Sequence, residues 1–430
     1  MHREINVGSI LFAVGALLAV GASILAQQGY RGRDHVVGID LGTTYSVVAI
    51  SQQDKVTVIA DQNGSVLTPS TVAFLAQGAT LVGREARAHG IQDPRHTIFN
   101  AKRFIGRSLE SVLREDEDVA ASYEFDLSSE DAANASTAAC FSLRLEGHTP
   151  CVTPVDVGAH IVRHLRHLAT RFVGHDQIDK AVIAVPVDFD AAQRAATVAA
   201  FEAAGLRVSR VLEEPTAAAI AYGLHQDPSV SFILVFDFGG GTLDVSLLFS
   251  RSGSVSVVDT VGDNHLGGED VDEIIAKHLT RQIGAAVGQS VSRHRRADEE
   301  DGDDWPCTPA GIRRAAERLK RELSEQHEAS ARCVSTSKRG EPEFVRVSMT
   351  RQELESLCEP LLARTLVPIR EILVANSMTT NDIDAVVLVG GSTRIPWVRE
   401  KLTEMFGGRP PLTDVNPDVA VAFGAARMVD

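Results

Sequence analysis

Asp40 and Asp237 each close an apolar, β-branched run and stand directly before a turn rich in glycine and threonine. The first turn reads Gly42-Thr43-Thr44-Tyr45 and the second Gly239-Gly240-Gly241-Thr242. A carboxylate in that place can face a cation while the turn amides face phosphate oxygens, because successive backbone N–H groups form a concave donor surface. Two such turns on opposite sides would clamp one polyphosphate. A third pair, Gly390-Gly391, follows another apolar run. A lone glycine turn is explained by the tight bend it permits; three on one plan favour phosphate. Water attacking a terminal phosphate needs a divalent ion and donors that steady the departing oxygens. Asp40, Glu214 and Asp237 are the candidate Mg²⁺ shell, through coordinated waters, and Lys102 is the candidate contact to the transferred phosphoryl group. By pattern alone Lys102 does not differ from a surface lysine.

The elements that must position these groups follow from periodicity. HVVGIDLGTTYSVVAI, residues 35–50, reads as two strands joined by a Gly-Thr-Thr turn, and residues 230–250 repeat that plan. The echo predicts two lobes. AVIAVP at 181–186 and AVVLVGG at 385–391 contain further buried strands. Helices are predicted over 155–174, over 190–206 with Gly205 as the stop, and over the amphipathic stretch 308–326. Alternating strands and helices predict an α/β fold. Segments around 107–153 and 286–306 are polar or broken and read as peripheral insertions, with a solvated acidic loop at 295–306.

The chain of 430 residues is 44% hydrophobic and 23% charged, enough for one large core or two moderate ones. Its formal net charge of -15 and the lack of a basic run exclude nucleic acid as the main partner. The cysteines at 140, 151, 307, 333 and 358 form no tight pair, so most are expected to be buried or unremarkable thiols; Cys140 and Cys151 are close enough to close a loop where thiols oxidise. From Ile5 to Tyr30 there is no charged residue. Residues 1–30 therefore read as a signal peptide, cleaved near Val20-Gly21-Ala22, or as an amino-terminal membrane anchor. Either places the rest in a lumen or outside, where the sequon Asn134-Ala135-Ser136 would meet glycosylation enzymes.

GIDLGTTYS (38–46), NAKRFIGR (100–107), VLEEPTAAAIAYGL (211–224), VFDFGGGTLDVS (235–246), HLGGEDVD (265–272) and LVGGSTRIPWV (388–398) occur in an order and spacing that resemble the nucleotide-binding domain of the heat-shock-70 family, from about Val36 to Met428. The resemblance implies an actin-like ATPase fold, a duplicated ribonuclease H-like motif whose two lobes flank a nucleotide cleft. The first lobe would span 31–226 with an insertion at about 70–157, the second 227–412 with an insertion at about 267–357, and 413–430 would return to the first. It implies that Lys102 places the attacking water, that Thr43 and Thr242 contact phosphates, and that Asp40, Glu214, Asp237 and Asp244 organise Mg²⁺. Pro186 would couple the lobes, with Arg194 as relay. Gly42, Thr44, Tyr45, Gly239, Gly240, Gly241 and Gly268 would complete the nucleotide walls. Glu317, Lys320, Arg321 and Ser324 would hold ribose and base on one side, with Gly390, Gly391, Ser392 and Arg394 on the other, and Asp418 would help hold K⁺ or ion-bound waters.

ATP and ADP are the implied ligands, and J-domain and nucleotide-exchange proteins the implied partner classes. In one departure, Asp188 precedes Phe189 where the family carries an aromatic, which changes a surface-facing element of the lobe interface and bears on the coupling between lobes. In another, the sequence ends at Asp430 without the family's peptide-binding sandwich. These features resemble the microsomal, ATPase-core branch of the family and imply a peptide-independent ATPase in the endoplasmic reticulum lumen. The rival readings are a nucleotide-gated interaction module with negligible turnover and a sugar kinase, which would need a sugar pocket and a base for its hydroxyl.

Overall fold

The computed structural model describes residues 7–27, 35–52, 55–76, 78–121, 126–129, 137–144, 150–175, 177–286, 305–336 and 342–428. The sequon at Asn134 and nearly all of the acidic loop at 295–306 lie outside the described residues.

The first β-branched runs form an antiparallel meander of β1 (His35–Asp40), β2 (Tyr45–Gln52) and β3 (Lys55–Val58). Strands β4 (Ile178–Val185) and β5 (Arg207–Glu213) join in parallel beyond β1, giving the order β5-β4-β1-β2-β3. In the second lobe β6 (Phe232–Phe238), β7 (Leu243–Arg251) and β8 (Ser254–Asp263) make the same meander, and β9 (Ala385–Val389) joins β6 in parallel. The register repeats as well: Asp40 stands opposite Val47, and Asp237 opposite Asp244. The sequence echo is thus a duplication of the sheet. Every residue of β9 is buried, as expected of a strand covered on both faces.

Helix α1 (Val7–Gln27) carries the amino-terminal apolar run with Phe12, Leu17 and Leu18 exposed. Among the fully described helices none is long and apolar enough to cross a membrane. Helix α2 (Pro154–Val173) starts with a capping box between Thr153 and Asp156 and stops at Gly174, whose φ is 78°. Helix α3 (Ala191–Ala203) begins with an equivalent box between Asp190 and Gln193. Helix α4 (Glu214–Ala221) follows β5 directly. Helices α5 (Gly268–Ala286) and α6 (Pro309–Glu325) belong to the second lobe, and α7 (Ala420–Arg427) returns to pack on β1, β2 and α4.

The α4–α7 crossing joins the two halves. It is built from small residues, Ala217 and Ala218 against Gly424 and Ala425, all buried. A methyl group at Gly424 would overlap the carbonyl of Ala217, so the helices meet at backbone distance. Separate apolar cores fill the two lobes, one around Ile39, Phe141 and Phe201 and the other around Phe236, Leu319 and Val398.

The expectation that most cysteines are unremarkable thiols is overturned. Cys140 pairs with Cys151, and Cys307 with Cys333, with Cα separations of 5.5 and 5.1 Å; Cys358 alone is free, and buried. The second pair was hidden because the parallel pairing of Trp305–Pro306 with Cys333 and Val334 is what brings Cys307 beside Cys333.

Candidate active site

Both strand-end aspartates line one cleft between the lobes, with a volume of about 1050 Å³. Because β1 and β6 occupy equivalent places in the two sheets, their carboxyl ends deliver the two glycine turns to opposite walls. Gly42 to Tyr45 line one side, and Gly239 to Thr242 with Asp244 the other. Lys102 enters from a short 3₁₀ turn, Ala101–Phe104, and Glu214 from the first residue of α4.

Lys102 and Glu214 meet at the floor, Nζ to Oε1 at 2.6 Å, both largely buried. The Phe189 ring stands 5.8 Å from the ammonium. Burial alone would lower the Lys102 pKa, but the Glu214, Asp40 and Asp237 carboxylates outweigh it and hold the value above the ordinary one. Burial and Glu214 push Asp40 up to about 7 against the pull of Lys102. Asp244 is likewise pushed to about 7, by burial and then by Asp188 and Glu214, while Thr242 donates a hydrogen bond to it. Burial, with Glu214, Asp244 and Asp40 adding to it, raises Asp237 well above the usual carboxylate range. One ammonium among these acids leaves buried negative charge uncompensated, which a divalent cation would relieve. Among the described residues no three His, Cys, Asp or Glu side chains could hold a metal ion directly. Asp40, Glu214, Asp237 and Asp244 fit a hydrated ion gripped through its waters.

The far end is built by α6 and the third glycine turn. Glu317, Lys320, Arg321 and Ser324 repeat at helical spacing and all line the cleft, facing Gly390, Gly391, Ser392 and Arg394. Arg394 is pinned by Asp418 at 2.8 Å and by Asn416. Glu317 is already engaged: Tyr45 donates to it at 2.7 Å and Arg87 pairs with it while donating to the Tyr45 hydroxyl at 2.6 Å. Thr44 and Asn100 bond Glu269 at 3.0 and 3.1 Å, and Arg103 reaches the carbonyls of Gly241 and Asn264. All of these contacts except the Arg87–Tyr45 bond join the two lobes across the cleft.

Three of the residues singled out in the sequence stand at the edge of the cleft or behind it. Asp188, on the surface-facing element at the lobe interface, is solvent-exposed and lines the cleft beside Glu214, Lys102 and Asp244. The turn after Pro186 faces the cleft because Arg194 bonds the carbonyls of Val187 and Phe189, at 3.1 and 2.9 Å. Arg194 is outside the cleft lining and stands 3.7 Å from Glu213. Gly268 sits behind the wall, its carbonyl accepting from Lys320 at 2.8 Å. Pro186 and Asp418 do line the cleft. Sequence reading missed Arg87, Arg103, Glu269 and Asp272, although the last three stand inside motifs it had singled out. Arg87 lies in a six-residue helix with no local signal of its own.

A duplicated α/β sheet whose two glycine turns face each other across an acidic cleft defines a class of two-lobed phosphate-binding proteins. Within it, the family profile described as Hsp70 protein matches residues 36–430, and the chain belongs to that family. It carries the family's nucleotide-binding domain, generally an ATPase, and the family implies ATP binding and hydrolysis with co-chaperone partners.

The Arg87–Glu317–Tyr45 bridge joins the lobes beside the cleft with a charged, partly buried hydrogen-bond set. Arg87→Ala is expected to speed nucleotide release about tenfold, since a hydrogen bond between charged groups contributes roughly 1.5–3 kcal/mol and solvent at the partly exposed Arg87 holds it to the lower end of that range. Stopped-flow release of a fluorescent ADP measures this; an unaltered rate would mean the bridge does not hold the cleft shut.

Proposed function

We propose that this protein hydrolyses ATP to ADP and phosphate in a Mg²⁺-dependent reaction, independently of peptide, inside the endoplasmic reticulum, in protein processing or quality control. The observation carrying the chemistry is the Lys102–Glu214 pair set between two glycine turns that each follow a partly buried aspartate. In this reading the turn amides and Thr43 and Thr242 hold the phosphates, and the Lys102 ammonium orients the attacking water. Asp40, Glu214, Asp237 and Asp244 hold the waters of Mg²⁺, which when bound offsets phosphate charge. Pro186 and its turn move with Glu214, because Phe189 touches Lys102 while Arg194 ties that turn together. Asp418 lies beside a place for K⁺. The adenosine lies between α6 and the turn at Gly390.

The compartment is read from chemistry as well as sequence. Two disulfides support an oxidising environment, and the uncharged helix α1 supports secretory targeting or anchoring. The microsomal ATPase-core branch of the family is the proposed subgroup, with J-domain and exchange proteins as its partner classes.

Single-turnover hydrolysis by the purified chain tests the reading. We expect turnover that excess EDTA abolishes and unfolded peptide does not stimulate. Equal activity in EDTA would sink the metal assignment. ATP binding without turnover would favour a nucleotide-gated interaction module, a reading consistent with the several contacts that already bridge the lobes.

A further inference from the structure

Lys320 is held from two sides. Its ammonium donates to Asp272 Oδ2 at 2.7 Å and to the Gly268 carbonyl at 2.8 Å. Both side chains are largely buried, and both line the cleft. The acceptors stand in the first turns of α5 and the lysine in α6, so the contact fixes one helix to the other. Gly268 permits it, since a side chain there would run into Ser392 Oγ and press on Lys320 Nζ. Ser392 in turn donates to the Gly239 carbonyl at 2.8 Å, which carries the knot to the second glycine turn. The other oxygen, Asp272 Oδ1, is buried with no hydrogen-bond partner among the described residues. A carboxylate so enclosed depends on Lys320 for compensation.

We propose that Asp272 is a positioning residue that fixes the Lys320 ammonium at the ribose end of the cleft and so sets the preference for nucleotides carrying ribose hydroxyls. The proposal rests on the adenine-nucleotide reading above, in which Lys320 faces the sugar. A lysine on a flexible four-carbon stem has no preferred direction of its own. Without the Asp272 charge, Lys320 is free to swing toward Glu317 or Glu269, the other acids that act on this carboxylate. The buried Cys358 thiol is the remaining titratable neighbour of the pair and is pushed up to about 11 by burial, so it stays neutral. Burial pushes Asp272 up to about 6 against the pull of Lys320. Above that pH the ion pair is complete. Below it Asp272 is neutral and Lys320 keeps only the Gly268 carbonyl. The ribose preference is therefore present at neutral pH and fades as pH falls through about 6.

The test compares the affinity of the full chain for ATP and for 2′,3′-dideoxy-ATP, whose phosphates are identical, so that their titration cancels in the ratio. The wild type is expected to prefer ATP by about tenfold at neutral pH, a loss of contact typical of hydrogen bonds to a charged donor. Asp272→Asn should cut that preference to about twofold, make it independent of pH, and act on affinity more than on the saturated rate. It should add nothing in a Lys320→Met background. An unchanged ratio in Asp272→Asn, or an equal further loss in that background, overturns the proposal. If Asp272→Asn does not fold, the wild-type ratio decides: one that stays flat as pH falls through about 6 overturns it. A wild type that binds neither nucleotide refutes the nucleotide reading and this proposal with it, whereas a flat ratio in a chain that binds ATP refutes the proposal alone.

Discussion

Lys102→Ala is expected to slow single-turnover ATP hydrolysis by about a thousandfold, the scale on which removal of one preorganised donor acts in a buried site. Lys102 is nearly enclosed, bonded to Glu214 at 2.6 Å, and it is the cation that acts on Asp40, Asp237 and Asp244 together. In the proposed mechanism alanine removes the donor to the attacking water, and it also leaves the acids uncompensated. The variant should therefore keep most of its nucleotide binding, which the turns and α6 provide, while its nucleotide-free form loses some stability that Mg²⁺ and ADP restore. Titration calorimetry with ADP and a rapid-quench assay separate the two effects. Hydrolysis within tenfold of wild type would remove Lys102 from the mechanism.

Gly424→Leu carries the largest expected effect on stability. The α4–α7 crossing has no room for even one methyl between Gly424 and the Ala217 carbonyl, so leucine must part the helices and expose apolar surface from both lobes. Overpacking of this kind costs about 3 kcal/mol or more, and Gly424→Ala about 1–3 kcal/mol. Glu214 is the first residue of α4, so the milder alanine variant should also weaken its contact with Lys102 and slow hydrolysis. Urea unfolding gives the midpoints in the order wild type, alanine, leucine. Coincident midpoints would show that the crossing tolerates a side chain and that its small residues are incidental.

Much of the positioning logic is local and therefore legible from residue order. Alternating apolar runs define β1, β2, β6 and β7, and an aspartate before a glycine turn marks where each meeting of strands must face an anion. The repeat of that plan at 230–250 predicts a second sheet because the same pattern buries the same face. The helical spacing of Glu317, Lys320, Arg321 and Ser324 fixes them on one side of α6 before any fold is known. What the sequence could not supply is the pairing of groups far apart along the chain. Nothing local distinguishes Lys102 from a solvated lysine until Glu214, brought by the α4–α7 crossing, meets it. Arg87 and Glu317, Asn100 and Glu269, and Cys307 and Cys333 become partners only through packing of separate elements. Asp188 borders the cleft on an exposed turn, and the tie that holds that turn, Arg194 bonding the carbonyls on either side of Asp188, comes from the helix that follows. Backbone preference and apolar periodicity act between neighbours in sequence, so residue order determined the strands, turns and faces. Burial, charge compensation and interlobe contact act between neighbours in space, and these were decided by the tertiary structure alone.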